Sequence, residues 1–403
     1  MSNNTSISTK ACIGVLSVSL VCYVAGATTP AMGVLFAQFA DYPQWLVSMI
    51  NTITSLGTIF GVLLFGTVAN GKMKFRNIAT FGMLSAGIFG ILPAFINQNL
   101  YLILAMRLIQ GFGVGFLMSF GATWFLRTIR DVKERGKWVS WNQAVGSFGS
   151  VLFTLLGGWL ADIQWNYCFL AFALMFVAWV IMFALFKEPK SIEEIIEEEG
   201  TGAAKDFEQA KRVKLPAIAW FVVAALTIYQ ILLSQGLILM SSFMEVTGAG
   251  TAALAGVMLS VFCVVTVVVC LFGGQILSAT KRLASPIALL CLALGCFIET
   301  IATDAAMFFV ASCLLGAGAA ILAFANFELS LVVSPAGLAW GAVLIMLGSN
   351  LGNVISSFVL GALQTMGGAN MYFPVQFAAA GYVVLAIVYF IASGKLWNAK
   401  KDE

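Results

Sequence analysis

The sequence predicts an all-α membrane protein whose twelve transmembrane helices form two pseudo-symmetric six-helix bundles. Three observations predict it. Of 403 residues, 61% are hydrophobic and 10% charged, with a mean hydropathy of +0.97, whereas a soluble domain carries about 25% charged side chains. Lipid is therefore the solvent. Polar breaks also divide the chain into twelve apolar runs, each near the roughly 20 residues a helix needs to cross a bilayer. Finally, when these runs are threaded alternately through a membrane, every Lys and Arg outside them falls on one face. Adding or removing one run would scramble that partition, so charge supports the count independently of hydropathy.

The first run, 11–37, contains Ala25-Gly26-Ala27, which mimics a signal cleavage site, but apolar residues continue through Met32 and Phe39. An uncleaved first span is expected. Spans 2 to 6 follow at 45–68, 78–96, 101–126, 138–160 and 167–186, and spans 7 to 12 at 216–240, 252–277, 285–302, 305–333, 337–362 and 374–393. Bases mark one side of them: Lys10; Lys72, Lys74 and Arg76; Arg127, Arg130, Lys133, Arg135 and Lys137; Lys187, Lys190, Lys205, Lys211, Arg212 and Lys214; Lys281 and Arg282; and Lys395, Lys400 and Lys401. By the positive-inside rule this face, and both termini with it, is cytoplasmic, and the expected location is the inner (plasma) membrane.

The longest polar segment predicts a division into an N-terminal bundle (1–187), a cytoplasmic linker (188–215) and a C-terminal bundle (216–403). Inside the linker, 192–199 has the spacing of a short acidic amphipathic helix. The halves resemble each other. Gly111 and Gly113 in span 4 recur as Gly316 and Gly318 in span 10, Gly149 and Gly158 in span 5 as Gly352 and Gly361 in span 11, and Gly66 with Asn70 as Gly274 with Ser278, all at nearly one offset. Internal duplication is how many membrane carriers are built.

Composition excludes several chemistries. With no histidine, proton transfer in the membrane must use carboxylates, and histidine metal sites and nucleophile–base pairs cannot form. The eight cysteines lie in apolar runs with no CxxC pair, as packing residues do. No G-x-x-x-x-G-K-[ST] nucleotide motif occurs. These absences point away from an enzyme, a cofactor, a metal or nucleic acid as partner.

Arg107-Leu108-Ile109-Gln110-Gly111-Phe112-Gly113-Val114-Gly115, followed by Glu134-Arg135-Gly136, then Gly157-Gly158-Trp159-Leu160-Ala161-Asp162 and Lys187-Glu188-Pro189, resembles the major facilitator superfamily, including its drug/proton antiporter-like and organic-anion branches. The resemblance implies secondary active transport of a small organic solute by alternating access between two bundles, coupled to protons, in a monomer embedded in a lipid bilayer. It implies gating or conformational roles for Gly66, Asn70, Lys74, Arg76, Gly111, Gly113, Gly157 and Gly158. Two departures stand out. Asn70 occupies a place where the family has Asp, and Phe153-Thr154 stands where antiporters have Gly-Pro.

A charge at mid-membrane costs about 2.5 to 3.5 kcal/mol on insertion scales, so intramembrane charges usually mark function. Arg107 in span 4 is expected in the cavity, where its planar fork favours a solute with an anionic group. Glu328 in span 10 is the expected proton carrier, whereas Glu299 near the end of span 9 is expected at the interface. Asp41, Asp162, Glu245 and Asp304 are placed at or beyond helix ends, in water. Polar stripes occur on span 2 (Asn51, Ser55, Thr58), span 5 (Gln143, Ser147, Ser150, Thr154), span 7 (Thr227, Gln230, Ser234) and span 11 (Asn350, Asn353, Ser357). Such stripes serve as helix–helix contacts as often as solute ligands. Gln110, Gln143, Gln230 and Asn350 join Arg107 and Glu328 as candidate binding or coupling residues. The alternative reading is a proton-coupled multidrug or amphiphile efflux antiporter in which Arg107 tunes a carboxylate.

Overall fold

In lipid every backbone N–H and C=O must be paired within the segment, so apolar runs of this length fold as helices. The computed structural model describes residues 9–69, 73–129, 132–189, 216–333, 335–368 and 370–398. Eleven helices among these are long and apolar enough to cross a membrane. They correspond to spans 2 to 12, beginning with Gln44–Ala69 and Phe75–Phe95 and ending with Pro335–Gly367 and Phe373–Asn398. Asn70, Lys72 and most of the expected linker, including its acidic helix, lie outside the described residues.

Span 1 departs from the continuous helix that its hydropathy suggests. It comprises a helix Thr9–Leu20, a 3-10 turn Val24–Ala27 and a second helix Met32–Gln38. Thr28-Thr29-Pro30 lies in the gap. Proline supplies no N–H and clashes with the preceding helical turn, and the threonine hydroxyls find partners on other helices. Span 4 is also broken, into Leu100–Met118 and Phe120–Thr128, and span 10 into Ala305–Ala319 and Ile321–Val332. Each half thus interrupts its fourth span.

The glycine repeat corresponds to repeated contacts. Thr58 Oγ1 donates to the Gly111 carbonyl at 3.2 Å, and Thr266 Oγ1 donates to the Gly316 carbonyl at 2.9 Å. A Cβ on Gly111 would strike the Thr54 carbonyl, and one on Gly113 would lie 2.8 Å from the Ala86 nitrogen. Span 4 therefore approaches spans 2 and 3 backbone to backbone, the close packing that small residues permit in membranes. Gly149 abuts the Leu20 carbonyl of span 1, as Gly352 abuts the Thr227 carbonyl of span 7.

Candidate solute path and its closing seam

Arg107 lies in span 4 facing the break in span 1. It is 0% exposed. Its Nε donates to the Ile50 carbonyl at 2.7 Å, its Nη1 to Gln110 Oε1, and its Nη2 to Thr28 Oγ1 at 3.2 Å. The guanidinium carbon stands 5.2 Å from the centre of the Phe172 ring. Thr28 and Thr29 both donate to Asn51 Oδ1, at 3.1 and 3.3 Å. Spans 1, 2 and 4 are thereby tied together where span 1 has no helix. The expectation that Arg107 lines the cavity does not hold in this conformation, because the partners of its three arms are all protein oxygens. Gln110 is equally buried, with its Nε2 unpaired.

The polar stripes divide into two sets. One set joins the bundles. Ser48 Oγ donates to Ser357 Oγ at 2.9 Å, and Thr52 pairs with the same hydroxyl at 2.6 Å. Asn353 Nδ2 donates to Ser55 Oγ at 2.7 Å and its Oδ1 accepts from Ser234 at 2.9 Å. Gln364 donates to Gln44, while Trp45 stacks on Phe358 with ring centres 5.6 Å apart. Among the described residues the other set is not engaged across the bundles: Gln143 is exposed beside Tyr23, Gln230 is half-buried against Gly352, and Asn350, also half-buried, turns its amide onto the Met346 carbonyl of its own helix at 2.9 Å.

Two further groups of contacts complete the seam. Ser241 of span 7 donates to the Pro30 carbonyl at 2.7 Å and accepts from Gly33 N at 3.3 Å. The Glu245 carboxylate lies on Gly33, where a Cβ would come within 2.5 Å of it. Between spans 5 and 8, Thr251 donates to Asp162 at 2.6 Å, and a Cβ on Gly158 would lie 2.6 Å from the Ala252 carbonyl. Gly157, beside it, faces the Ala27 carbonyl of span 1. All these contacts lie toward the face that carries Asp41, Asp162, Glu245 and Asp304, opposite the basic face. The bundles are closed on that acidic side.

A family model described as the Major Facilitator Superfamily matches residues 14–357. The chain belongs to this superfamily. A search of curated proteins finds no match. Among solved structures, the nucleoside transporter NupG is 12% identical with a TM-score of 0.72, covering 96% of this chain and 98% of that one. A D-xylose-proton symporter is 16% identical with a TM-score of 0.71 and 98% coverage of each chain. The POT family transporter PepTSo is 12% identical with a TM-score of 0.73, covering 96% of this chain and 98% of that one. At such identities the likeness shows the fold.

The facilitator fold also shows where the remaining candidates stand. Arg76 Nη2 donates to the Phe186 carbonyl at 2.9 Å, and its guanidinium lies 5.2 Å from the Phe183 ring centre. The Glu188 carboxylate accepts from the backbone N–H groups of Phe75 and Arg76, a favourable place for an anion at a helix N-terminus. Arg76 thus locks span 3 to span 6 within one bundle, while neighbouring Lys74 is exposed. Gly66 lies on the span 2 helix, just before residues outside the described set.

Glu328 points away from the interbundle seam, into its own bundle. Ser285 of span 9 donates to its Oε1 at 2.7 Å, and it lines a small pocket with Lys281, Arg282, Ser393 and Trp397 near the basic face. Glu299 is 0% exposed rather than interfacial. The helix of span 7 runs to Thr247, beyond the expected end at 240, and Gly236 on it covers the Glu299 carboxylate. That extension also puts Glu245 on the helix, with its Oε1 buried. Sequence reading missed Thr28, Thr29, Ser241 and Gly236. Only Thr28-Thr29-Pro30 carried a signal, a helix-breaking proline behind two hydroxyls inside an apolar run.

Proposed function

We propose that this superfamily member is a secondary active transporter that carries a small, polar organic solute by alternating access and couples its movement to protons. The observation that carries the reading is the seam. Its contacts are hydroxyls, amides, glycines, the carboxylates of Asp162 and Glu245 and one aromatic stack, which two rigid bundles can make and break. Interhelical hydrogen bonds in membranes average only about 0.6 kcal/mol each, so such a seam opens without a large barrier. The basic face is read as cytoplasmic by the positive-inside rule, which puts the closed seam on the outer side.

The side chains not engaged in the seam favour a neutral, hydrogen-bonding solute. Gln143, Gln230 and Asn350 offer amide donors and acceptors and no net charge, whereas Arg107, the basis for an anionic preference, is shielded from the path by its own hydrogen bonds. Nucleosides, xylose and peptides, the solutes named for structural relatives, fit that chemistry better than amphiphilic cations. Arg107 becomes a positioning residue for the span-1 break.

The test is counterflow and uptake in proteoliposomes with panels of nucleosides, sugars, dipeptides, organic anions and amphiphilic cations, with and without a pH gradient. Accumulation of a neutral polar solute driven by the gradient is expected. Uptake confined to amphiphilic cations would favour the efflux alternative instead, and uptake indifferent to pH would remove proton coupling.

A further inference from the structure

We infer that Tyr23 and Gln230, matching positions of the two repeats, form two walls of a solute subsite for a planar heterocyclic ring with a hydrogen-bonding edge, as a nucleobase has. The inference rests on the transport reading above and narrows its substrate class. The seam itself repeats. Ser55 and Asn353 join spans 2 and 11, and Cys263 and Ser150 join spans 8 and 5 with their Sγ and Oγ 3.7 Å apart. Cys263 stands to Ser55 as Gly274 stands to Gly66, and Asn353 stands to Ser150 as Gly352 stands to Gly149. The first spans of the two halves match as well: the Leu20 carbonyl lies against Gly149 as the Thr227 carbonyl lies against Gly352. Three residues on from each stand Tyr23 and Gln230.

Tyr23 is 39% exposed near the middle of its span. One edge of its ring lies on span 5, where a Cβ on Gly146 would come within 2.8 Å of it, and its hydroxyl is hydrogen-bonded to Gln143. Nearby on span 1, Cys22 donates to the Leu117 carbonyl of span 4 at 3.4 Å and Ser17 to the Ala178 carbonyl of span 6 at 3.2 Å. Spans 4, 5 and 6 thus cover span 1 within its own bundle, and the free face of Tyr23 turns to the space between the bundles, on the basic side of the seam. Gln143 shares the face of span 5 that carries Ser150, and Gln230 stands one turn from Ser234, which donates to Asn353. A flat heterocycle has two apolar faces and an edge of donors and acceptors. Its face stacks on an aromatic ring, and its edge pairs with the donor and acceptor of a planar side-chain amide. The two repeats differ here, with a ring on one wall and an amide on the other, so the solute's orientation is set. A sugar carries hydroxyls around its rim that a bare ring face leaves without partners, and a zwitterionic peptide needs charged partners that Tyr23, Gln143 and Gln230 do not supply.

The test uses the full chain, purified and placed in lipid nanodiscs, with adenosine, xylose and dialanine as probes. Calorimetry should show adenosine binding that is weakened about tenfold in Tyr23→Leu, the size of one lost base–aromatic stack, and little changed in Tyr23→Phe, which keeps the ring. Tyr23→Trp puts a fluorescent reporter on the proposed surface. Its added emission should be quenched by adenosine and not by xylose or dialanine, a readout that stands even where Tyr23→Leu fails to fold. Equal losses in Tyr23→Leu and Tyr23→Phe, no quenching in Tyr23→Trp, or binding of xylose or dialanine in place of adenosine overturns the inference. Uptake of xylose or dialanine alone in proteoliposomes would leave transport standing while this inference falls, whereas adenosine binding that depends on the Tyr23 ring, without uptake of any probe, would do the reverse.

Discussion

Asn353 of span 11 donates its side-chain amide to Ser55 of span 2 at 2.7 Å, across the boundary between the bundles. The same amide oxygen accepts from Ser234 of span 7. One residue therefore reads both the other bundle and its own. Breaking this junction should favour the open acidic side: Asn353→Ala and Ser55→Ala should each raise thiol labelling of a cysteine at Ser48. Their combined effect should fall short of the sum by about 0.6 kcal/mol, the usual size of such a coupling. Strict additivity would mean that the pair does not act together.

Gly111 allows span 4 to rest on the Thr54 carbonyl. Gly111→Val forces the two backbones apart, and overpacking of this kind costs about 1 to 3 kcal/mol. A lower melting temperature in detergent is expected, and Gly316→Val should behave alike because Gly316 abuts the Phe262 carbonyl. Gly274→Ala, where a Cβ would meet nothing within 4 Å, should be neutral. Equal losses at all three positions would contradict the packing account.

Arg107→Ala removes the donors to Ile50, Gln110 and Thr28 together. Each acceptor stranded in a buried site costs about 1 to 3 kcal/mol. Reduced thermal stability is expected along with lost transport, and Arg107→Lys should restore little, since an ammonium cannot reproduce a planar fork with three separated arms. A variant of full stability that has lost only solute affinity would return Arg107 to the binding site.

Orientation is tested from outside the cell. In a cysteine-free version, single cysteines at Asn99 or Gly368 should react with an impermeant thiol reagent, and cysteines at Lys74 or Lys205 should not. The opposite pattern would invert the reading of the basic face.

Much of the fold was legible because lipid imposes strict rules. Apolar length gave the spans, and the repeated glycines at 111 and 316 correspond to matching threonine contacts from 58 and 266. The site was less legible. Ser55 and Asn353 joined the seam while Gln143, Gln230 and Asn350 did not, although all belong to stripes of the same composition; which side of a stripe faces a partner depends on the bundles' relative placement. Glu299 was misplaced because depth was counted from the end of its own helix, with no account of Gly236 on the neighbouring span 7, which packs on its carboxylate. Arg107 could be recognised as buried, and its amide partner Gln110 stands three residues on in the same motif, but the Ile50 carbonyl and the Thr28 hydroxyl come from distant parts of the chain, which no local pattern announces.

The central claim is that two bundles close alternately on opposite faces, and paired distance measurements on one molecule test it most directly. Spin labels at Asp41 and Met366 would report the acidic face, and labels at Lys74 and Lys281 the basic face, in nanodiscs across pH and with solutes identified by counterflow. The account predicts a short acidic-face distance in the conformation described here, and opposite movement of the two distances when the equilibrium shifts. Distances that rise and fall together, or an acidic face that never opens under any condition supporting transport, would contradict it.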